Sequence, residues 1–218
     1  MTYKTPIRLV VLDFDGTIGD TQTLIINTMQ KTIAELHLPS RTREQCAAMI
    51  GLPLKQTFTD LIDMTDEMGD RCANTYRRIF DENNEPGMVP VFPHVIDTLR
   101  RLHDSGRVLT IASSRATVTL QGFVESMHLD ELVSLVMSCD DIVHAKPHPE
   151  MVLKTLERTG FRPEETVVVG DTKYDILMGR GAGCHTVGVS YGNGSREELM
   201  AAGADHIIDD FRLLLDLV

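Results

Sequence analysis

No apolar run in the 218 residues approaches the roughly 20 residues that a membrane span needs. Met1 to Pro6 has neither the charged start nor the apolar stretch of a secretory signal. The expected setting is the cytoplasm, with no membrane partner. Cysteine is scarce, and Cys46, Cys72, Cys139 and Cys184 lie far apart without paired spacing, so neither a zinc site nor a disulfide framework is indicated. Reduced, mostly buried thiols are expected. Positive charge is also short: 21 Lys and Arg stand against 32 Asp and Glu, for a formal charge of -11. That balance argues against a general nucleic-acid binder, because phosphate backbones need clustered cations. An anionic small molecule must instead be drawn in locally, by a metal or a few basic groups. The Gly-rich stretch from Gly188 to Gly194 lacks the Lys and Ser/Thr of a P-loop and reads as a mobile connection.

What is present begins with Ile7 to Thr17, I-R-L-V-V-L-D-F-D-G-T. Five of its first six residues are aliphatic, the pattern of a strand buried on both faces. Asp13 and Asp15 follow where the apolar run ends, and Gly16 marks the turn away from the sheet. Two adjacent acids repel and need a cation or a shared proton to coexist. A single helix cap would explain only one of them.

The chain then changes period. Asp20 or Thr21 can cap a helix carrying Ile25, Met29, Ile33 and Leu36, and three further helical patterns run over 43–50, 54–64 and 66–83 before Glu85-Pro86-Gly87 breaks the last. From Pro90 onward strands alternate with helices. Strands are expected at 108–112, 132–137, 166–169, 185–189 and 205–208, and an amphipathic helix with Phe211, Leu214, Leu215 and Val218 closes the chain. The fold class is therefore α/β: a doubly wound, mostly parallel sheet with an inserted all-helical unit. The expected division is a core of 1–18 and 86–218 and an insertion of 19–85, with a monomer or homodimer both open.

Asp13-Phe14-Asp15-Gly16-Thr17 resembles the first motif of the haloacid dehalogenase superfamily. Ser113, Lys146 within K-P-H-P, and G-D-T-K-Y-D with Asp171 and Asp175 are similar to its remaining motifs, in order. The resemblance implies a Rossmann-like core, a small helical cap, and a phosphatase of the phosphoglycolate phosphatase-like branch that uses Mg²⁺. It assigns the metal ligands as the Asp13 carboxylate, the Asp15 main-chain carbonyl and the Asp171 carboxylate, with Asp175 as an outer-sphere partner. Asp13 is then the nucleophile and Asp15 the general acid and base. Lys146 adds positive charge beside the nucleophile. Gly16, Thr17, Ser113 and Ser114 surround the phosphate.

The physical need for such a set is clear. Phosphate ester hydrolysis demands up to roughly 20 kcal/mol of transition-state stabilisation, mostly electrostatic. A carboxylate nucleophile splits the reaction through an aspartyl phosphate. A general acid must hold its proton near neutrality, about three units or roughly 4 kcal/mol from a free Asp.

The leaving group should be read by the cap and nearby residues: Gly51 and Leu52 in a loop reaching toward the core, Lys55 with Arg41 or Arg43 as anion contacts, though any one of these charges more commonly is a solvated surface group, and Arg115, which could screen the substrate or merely start a helix. His94 stands in F-P-H where relatives commonly have Gly, and could line the pocket or simply start a helix. His144 and His148 are discounted as metal ligands, since Pro147 and Pro149 oppose a shared helical face. An inorganic pyrophosphatase differs only in the leaving group. A hexose phosphate mutase usually shows an acid where Gly170 stands, a phosphonate hydrolase wants a Schiff-base Lys near Lys55, and a hydrolytic dehalogenase has no use for Asp15. A catalytically silent phosphate-binding protein is the non-enzyme alternative.

Overall fold

The computed structural model describes residues 3–83 and 87–218, so the expected junction between 85 and 86 lies outside the described residues. Strands β1 (Leu9–Leu12), β2 (Val108–Ala112), β3 (Val133–Met137), β4 (Thr166–Gly170), β5 (His185–Val189) and β6 (His206–Ile208) form one sheet in the order β3-β2-β1-β4-β5-β6. Every neighbouring pair is parallel. Helices α1 (Gln22–Glu35), α2 (Arg43–Ala47), α3 (Leu54–Leu61) and α4 (Asp66–Asn83) follow β1 in the chain, ahead of the other five strands. The remainder of the chain carries α5 (Val95–Asp104), α6 (Thr117–Ser126), α7 (Glu150–Thr159), α8 (Lys173–Gly181) and α9 (Arg196–Ala202).

All four residues of β1 are fully buried, as a central strand covered on both faces requires. Each such side chain contributes about 2 kcal/mol by leaving water. Val10 and Leu12 face one core with Leu99 and Leu102 of α5 and Leu120 and Phe123 of α6. Leu9 and Val11 face the other, with Val152 and Leu156 of α7 and Met178 of α8. The core on the Val10 side continues into the helical insertion, where α1 packs on α4 and Phe58, Tyr76 and Phe80 are buried.

Strand order reverses between β1 and β4, the switch point beyond whose carboxyl ends open α/β sheets bind ligands. The register pairs Leu12 with Val169, and the Asp13 amide donates to the Val169 carbonyl at 2.9 Å. That pairing delivers Asp13 and Asp171 to one crevice.

Two local expectations change, and one open alternative narrows. Thr21 precedes α1, but its hydroxyl caps nothing and donates to Asp15 instead. The closing segment Phe211–Asp216 winds as a 3-10 turn, and Phe211 and Leu214, spaced by three, are its buried residues. His94 precedes α5 in the left-handed region at φ 66°, a conformation Gly adopts freely and other residues adopt at a cost.

Candidate active site

At the end of β1 the Asp13 carboxylate is buried, and its Oδ1 accepts a hydrogen bond from Lys146 Nζ at 2.6 Å. The same ammonium donates to Asp175 Oδ1 at 2.7 Å. Asp175 closes a capping box at the start of α8, its Oδ2 accepting from the Thr172 amide and hydroxyl at 3.0 and 2.7 Å. Both its oxygens are therefore engaged, which makes it the residue that aims Lys146. Carboxylate oxygens of Asp13, Asp171 and Asp175 all lie within 4.8 Å of one another.

Three buried acids facing one ammonium leave an excess of negative charge. Burial raises Asp13 well above the ordinary carboxylate range, Lys146 pulls it down, and Asp175, Asp171 and Asp15 push it further up. Asp171 is pushed up to about 7, by burial first and Asp175 second, against the hydrogen bonds from Asn193. Burial opposes the charge of Lys146, yet Asp13 and Asp175 hold it above its ordinary value. An all-oxygen cluster short of positive charge suits a hard divalent cation, and the donor set fits one.

Asp15 stands beside this cluster with its own counter-charge. Its Oδ1 accepts from Arg115 Nε and Nη2 at 2.8 and 2.6 Å and from the Thr21 hydroxyl at 2.6 Å. Its Oδ2 has no hydrogen-bond partner among the described residues. The Arg115 guanidinium lies 4.8 Å from the Phe80 ring of α4 and 4.9 Å from the Phe123 ring of α6, joining insertion and core. Sequence reading left Arg115 between substrate contact and helix start; the structure makes it the partner of Asp15.

Ser113 is fully buried, and its Oγ accepts from the Arg115 amide at 3.2 Å. Ser114 Oγ donates to the Gly51 carbonyl at 3.3 Å, so the loop at Gly51 and Leu52 does come down onto the core. Gly51 itself sits at φ +100° against Thr172 and Tyr174, which explains its glycine. The Thr17 hydroxyl reaches Asp171 Oδ1 at 3.4 Å, and a side chain on Gly16 would collide with Asp171 Oδ2 and the Asn193 amide.

Other expected contacts are not brought to the site. His94 is outside the crevice, its Nδ1 3.2 Å from Asp210 Oδ1. Lys55 lines the cavity below, but its Nζ is paired with Asp66 at 2.7 Å and Asp70 at 3.0 Å. The Arg41 side chain donates to the carbonyls of Leu61, Pro39 and Ser40, and Arg43 to Asn27.

His144 and His148 share no helix, yet their rings lie 4.5 Å apart. Glu150 beside them accepts from the amides of Val143 and His144 and from Lys154, so this cluster fastens the loop bearing Lys146.

The residue missed by sequence reading is Asn193. Its amide and Nδ2 donate to Asp171 Oδ2 at 2.7 and 2.8 Å, and its Oδ1 accepts from Gln22 of α1 at 3.1 Å. The stretch read as a mobile connection is thus the clamp on Asp171. Gly192 and Gly194 were the available signal, since any side chain there would strike Asp171 or the Gly16 carbonyl.

Above the acids lies a cavity of about 580 Å³ between α1, α3, α4 and the start of α6, with Asp13, Asp15 and Lys146 in its wall.

Beyond the carboxyl ends of a parallel sheet, two acids after the first strand, a buried lysine and a third acid after the fourth define a hydrolase of the haloacid dehalogenase-like type. The chain belongs to that family, whose model, haloacid dehalogenase-like hydrolase, matches residues 10–189. Among particular relatives, the pyrophosphatase PpaX of Anoxybacillus flavithermus is 35% identical over 212 residues, covering 97% of each chain. The probable phosphatase IndB of Dickeya dadantii is 34% identical over 208 residues, 93% of this chain and 90% of that one. The fold matches a crystal structure of a predicted phosphoglycolate phosphatase from Haemophilus somnus with a TM-score of 0.87, 24% identity and 98% coverage of both chains.

Proposed function

We propose that the protein is a Mg²⁺-dependent phosphatase that hydrolyses a small phosphorylated metabolite through an aspartyl phosphate on Asp13. One observation carries this reading: the Asp13 carboxylate is fixed by Lys146 at 2.6 Å, clusters with Asp171 within 4.8 Å, and opens onto a half-open cavity. Asp13, Asp171 and the Asp15 carbonyl would hold the ion, which when bound supplies positive charge to the anionic phosphate oxygens.

The chain's own groups divide the remaining work. An Asp13 oxygen forms the bond to phosphorus as the bond to the leaving oxygen breaks, and Asp15 gives that oxygen a proton. Because Arg115 and Thr21 occupy Oδ1, the proton travels through Oδ2. In the second step Asp15 Oδ2 takes a proton from water as the water oxygen attacks phosphorus, and Asp13 leaves as a carboxylate. Lys146 balances charge at the nucleophile throughout, and Ser113 with the amides near Gly16 faces the phosphoryl oxygens. Residues 19–85 act as the cap that selects substrate over a core of 1–18 and 86–218, in a cytoplasmic protein. A mutase is disfavoured because a side chain on Gly170 would collide with Asp175. A Schiff-base role for Lys55 is disfavoured because the hydrogen bonds it donates to Asp66 and then Asp70 raise its pKa.

Incubation with p-nitrophenyl phosphate and MgCl₂ tests the proposal. Phosphate release by the wild type and its abolition in Asp13→Asn are expected. Release that survives Asp13→Asn removes the nucleophile, and a wild type inert toward p-nitrophenyl and acetyl phosphates is a silent binding protein.

A further inference from the structure

The wall of the cavity above the acids says what kind of leaving group enters. Met29, Met49, Leu52, Leu54 and Phe80 supply apolar surface, and about 580 Å³ falls within the roughly 300–1,000 Å³ of sites that enclose organic ligands. The cations there are already matched: Lys146 with Asp13 and Asp175, Arg115 with Asp15, Lys55 with Asp66 and Asp70. Arg77 alone among the lining cations makes no ion pair with the described residues, and its Nη1 donates to Asn74 at 3.0 Å. A second phosphate group would thus meet a mostly apolar wall with a single uncommitted cation, and would give up part of its hydration with little to replace it.

Tyr76 of α4 adds a specific feature. It is 8% exposed and lines the cavity, yet its hydroxyl has no hydrogen-bond partner among the described residues. Its ring is held by Phe80 at 5.9 Å and Phe58 at 6.1 Å. Burial raises the phenol far above its ordinary range, so the hydroxyl keeps its proton and can donate, and its electrostatic neighbours are Arg115 and Asp15, the group assigned to the leaving oxygen. A phenol at the cavity wall that makes no hydrogen bond to the described residues is a donor available to an acceptor on a ligand.

We infer that the leaving group is an organic alcohol with an apolar, ring-sized body and a hydrogen-bond acceptor for Tyr76, and that inorganic pyrophosphate is a poor substrate; the inference rests on the phosphatase reading above. The test compares kcat/KM for phenyl phosphate, its ortho, meta and para acetyl derivatives, and inorganic pyrophosphate, in the wild type and Tyr76→Phe with MgCl₂. The aryl esters should exceed pyrophosphate by about tenfold or more. At least one acetyl isomer should lose about tenfold more than phenyl phosphate on Tyr76→Phe, chiefly through KM, the worth of one neutral hydrogen bond. Phe keeps the ring contacts, and a thermal melt close to wild type verifies the fold. Pyrophosphate turnover equal to or above that of the aryl esters overturns the inference while leaving the phosphatase intact. An equal effect of Tyr76→Phe on phenyl phosphate and all three isomers removes Tyr76 from recognition. Release from none of these substrates, nor from p-nitrophenyl phosphate, defeats the phosphatase reading itself.

Discussion

Removing divalent metal from this protein should give it an unusual dependence of stability on pH. Asp171 keeps its proton in the folded chain up to about 7, whereas its ordinary value is 3.8. Below 3.8 both folded and unfolded chains are protonated and the full stabilising effect is present. Between the two values only the folded chain holds the proton, so stability declines as pH rises and the contribution is gone above about 7. The shift from 3.8 to about 7 corresponds to about 4 kcal/mol. Asp13, also raised by burial and its acidic neighbours, acts in the same direction. Partly buried carboxylates held low by their partners, Glu150 by Lys154 and Asp210 by Arg212, act oppositely, but only as pH falls into the acid range. Urea unfolding in EDTA between about pH 5 and 8 therefore isolates the cluster, with a slope of about −1.4 kcal/mol per pH unit for each extra proton held by the folded state. Asp171→Asn should flatten that slope. Added MgCl₂ should stabilise, by about 2.7 kcal/mol at a hundred times its Kd and more strongly at high pH, where it need not displace protons. A wild type whose EDTA profile parallels that of Asp171→Asn, or rises with pH, would refute the reasoning.

Other perturbations address separate contacts. Asn193→Ala should weaken Mg²⁺ binding by about tenfold or more in calorimetry, because Asp171 Oδ2 loses the Nδ2 donor and keeps only the backbone amide of residue 193; unchanged affinity would remove the side chain from the clamp. Arg115→Ala should lower stability by about 3 kcal/mol in urea by leaving Asp15 without its partner in a largely buried pair, and Arg115→Ala with Asp15→Asn should cost less than the sum of the two. His94→Gly should raise stability by roughly 0.5–1 kcal/mol through relief of the left-handed backbone, less what the contact with Asp210 contributes, with kcat unaltered. A fall in kcat there would return His94 to the site.

The sheet was legible because its signals are local. Runs such as Leu9–Leu12 and Thr166–Gly170 are apolar throughout, and helical periods separate them, so strand number and parallel order follow from sequence and crossover handedness. Asp13, Lys146 and Asp171 were likewise visible, since each sits at a strand end or beside a helix start. Partnerships between distant segments left no such trace. Arg115 meets Asp15 across 100 positions and Asn193 meets Asp171 across 22, and nothing in either residue's immediate neighbours announces the contact. His94 was open between a pocket residue and a helix start, and its place before α5 at φ 66° with Nδ1 beside Asp210 agrees with the second. Lys55 was left between an anion contact and a surface charge because its partners on α4 are visible only once the helices pack.

The most direct measurement is a rapid acid quench of the enzyme turning over a substrate labelled in its phosphoryl group, followed by peptide mapping. Label is expected on the peptide containing Asp13 in the wild type, and none is expected in Asp13→Asn. Steady turnover with no label on that peptide, or label carried by another residue, would contradict phosphoryl transfer to Asp13.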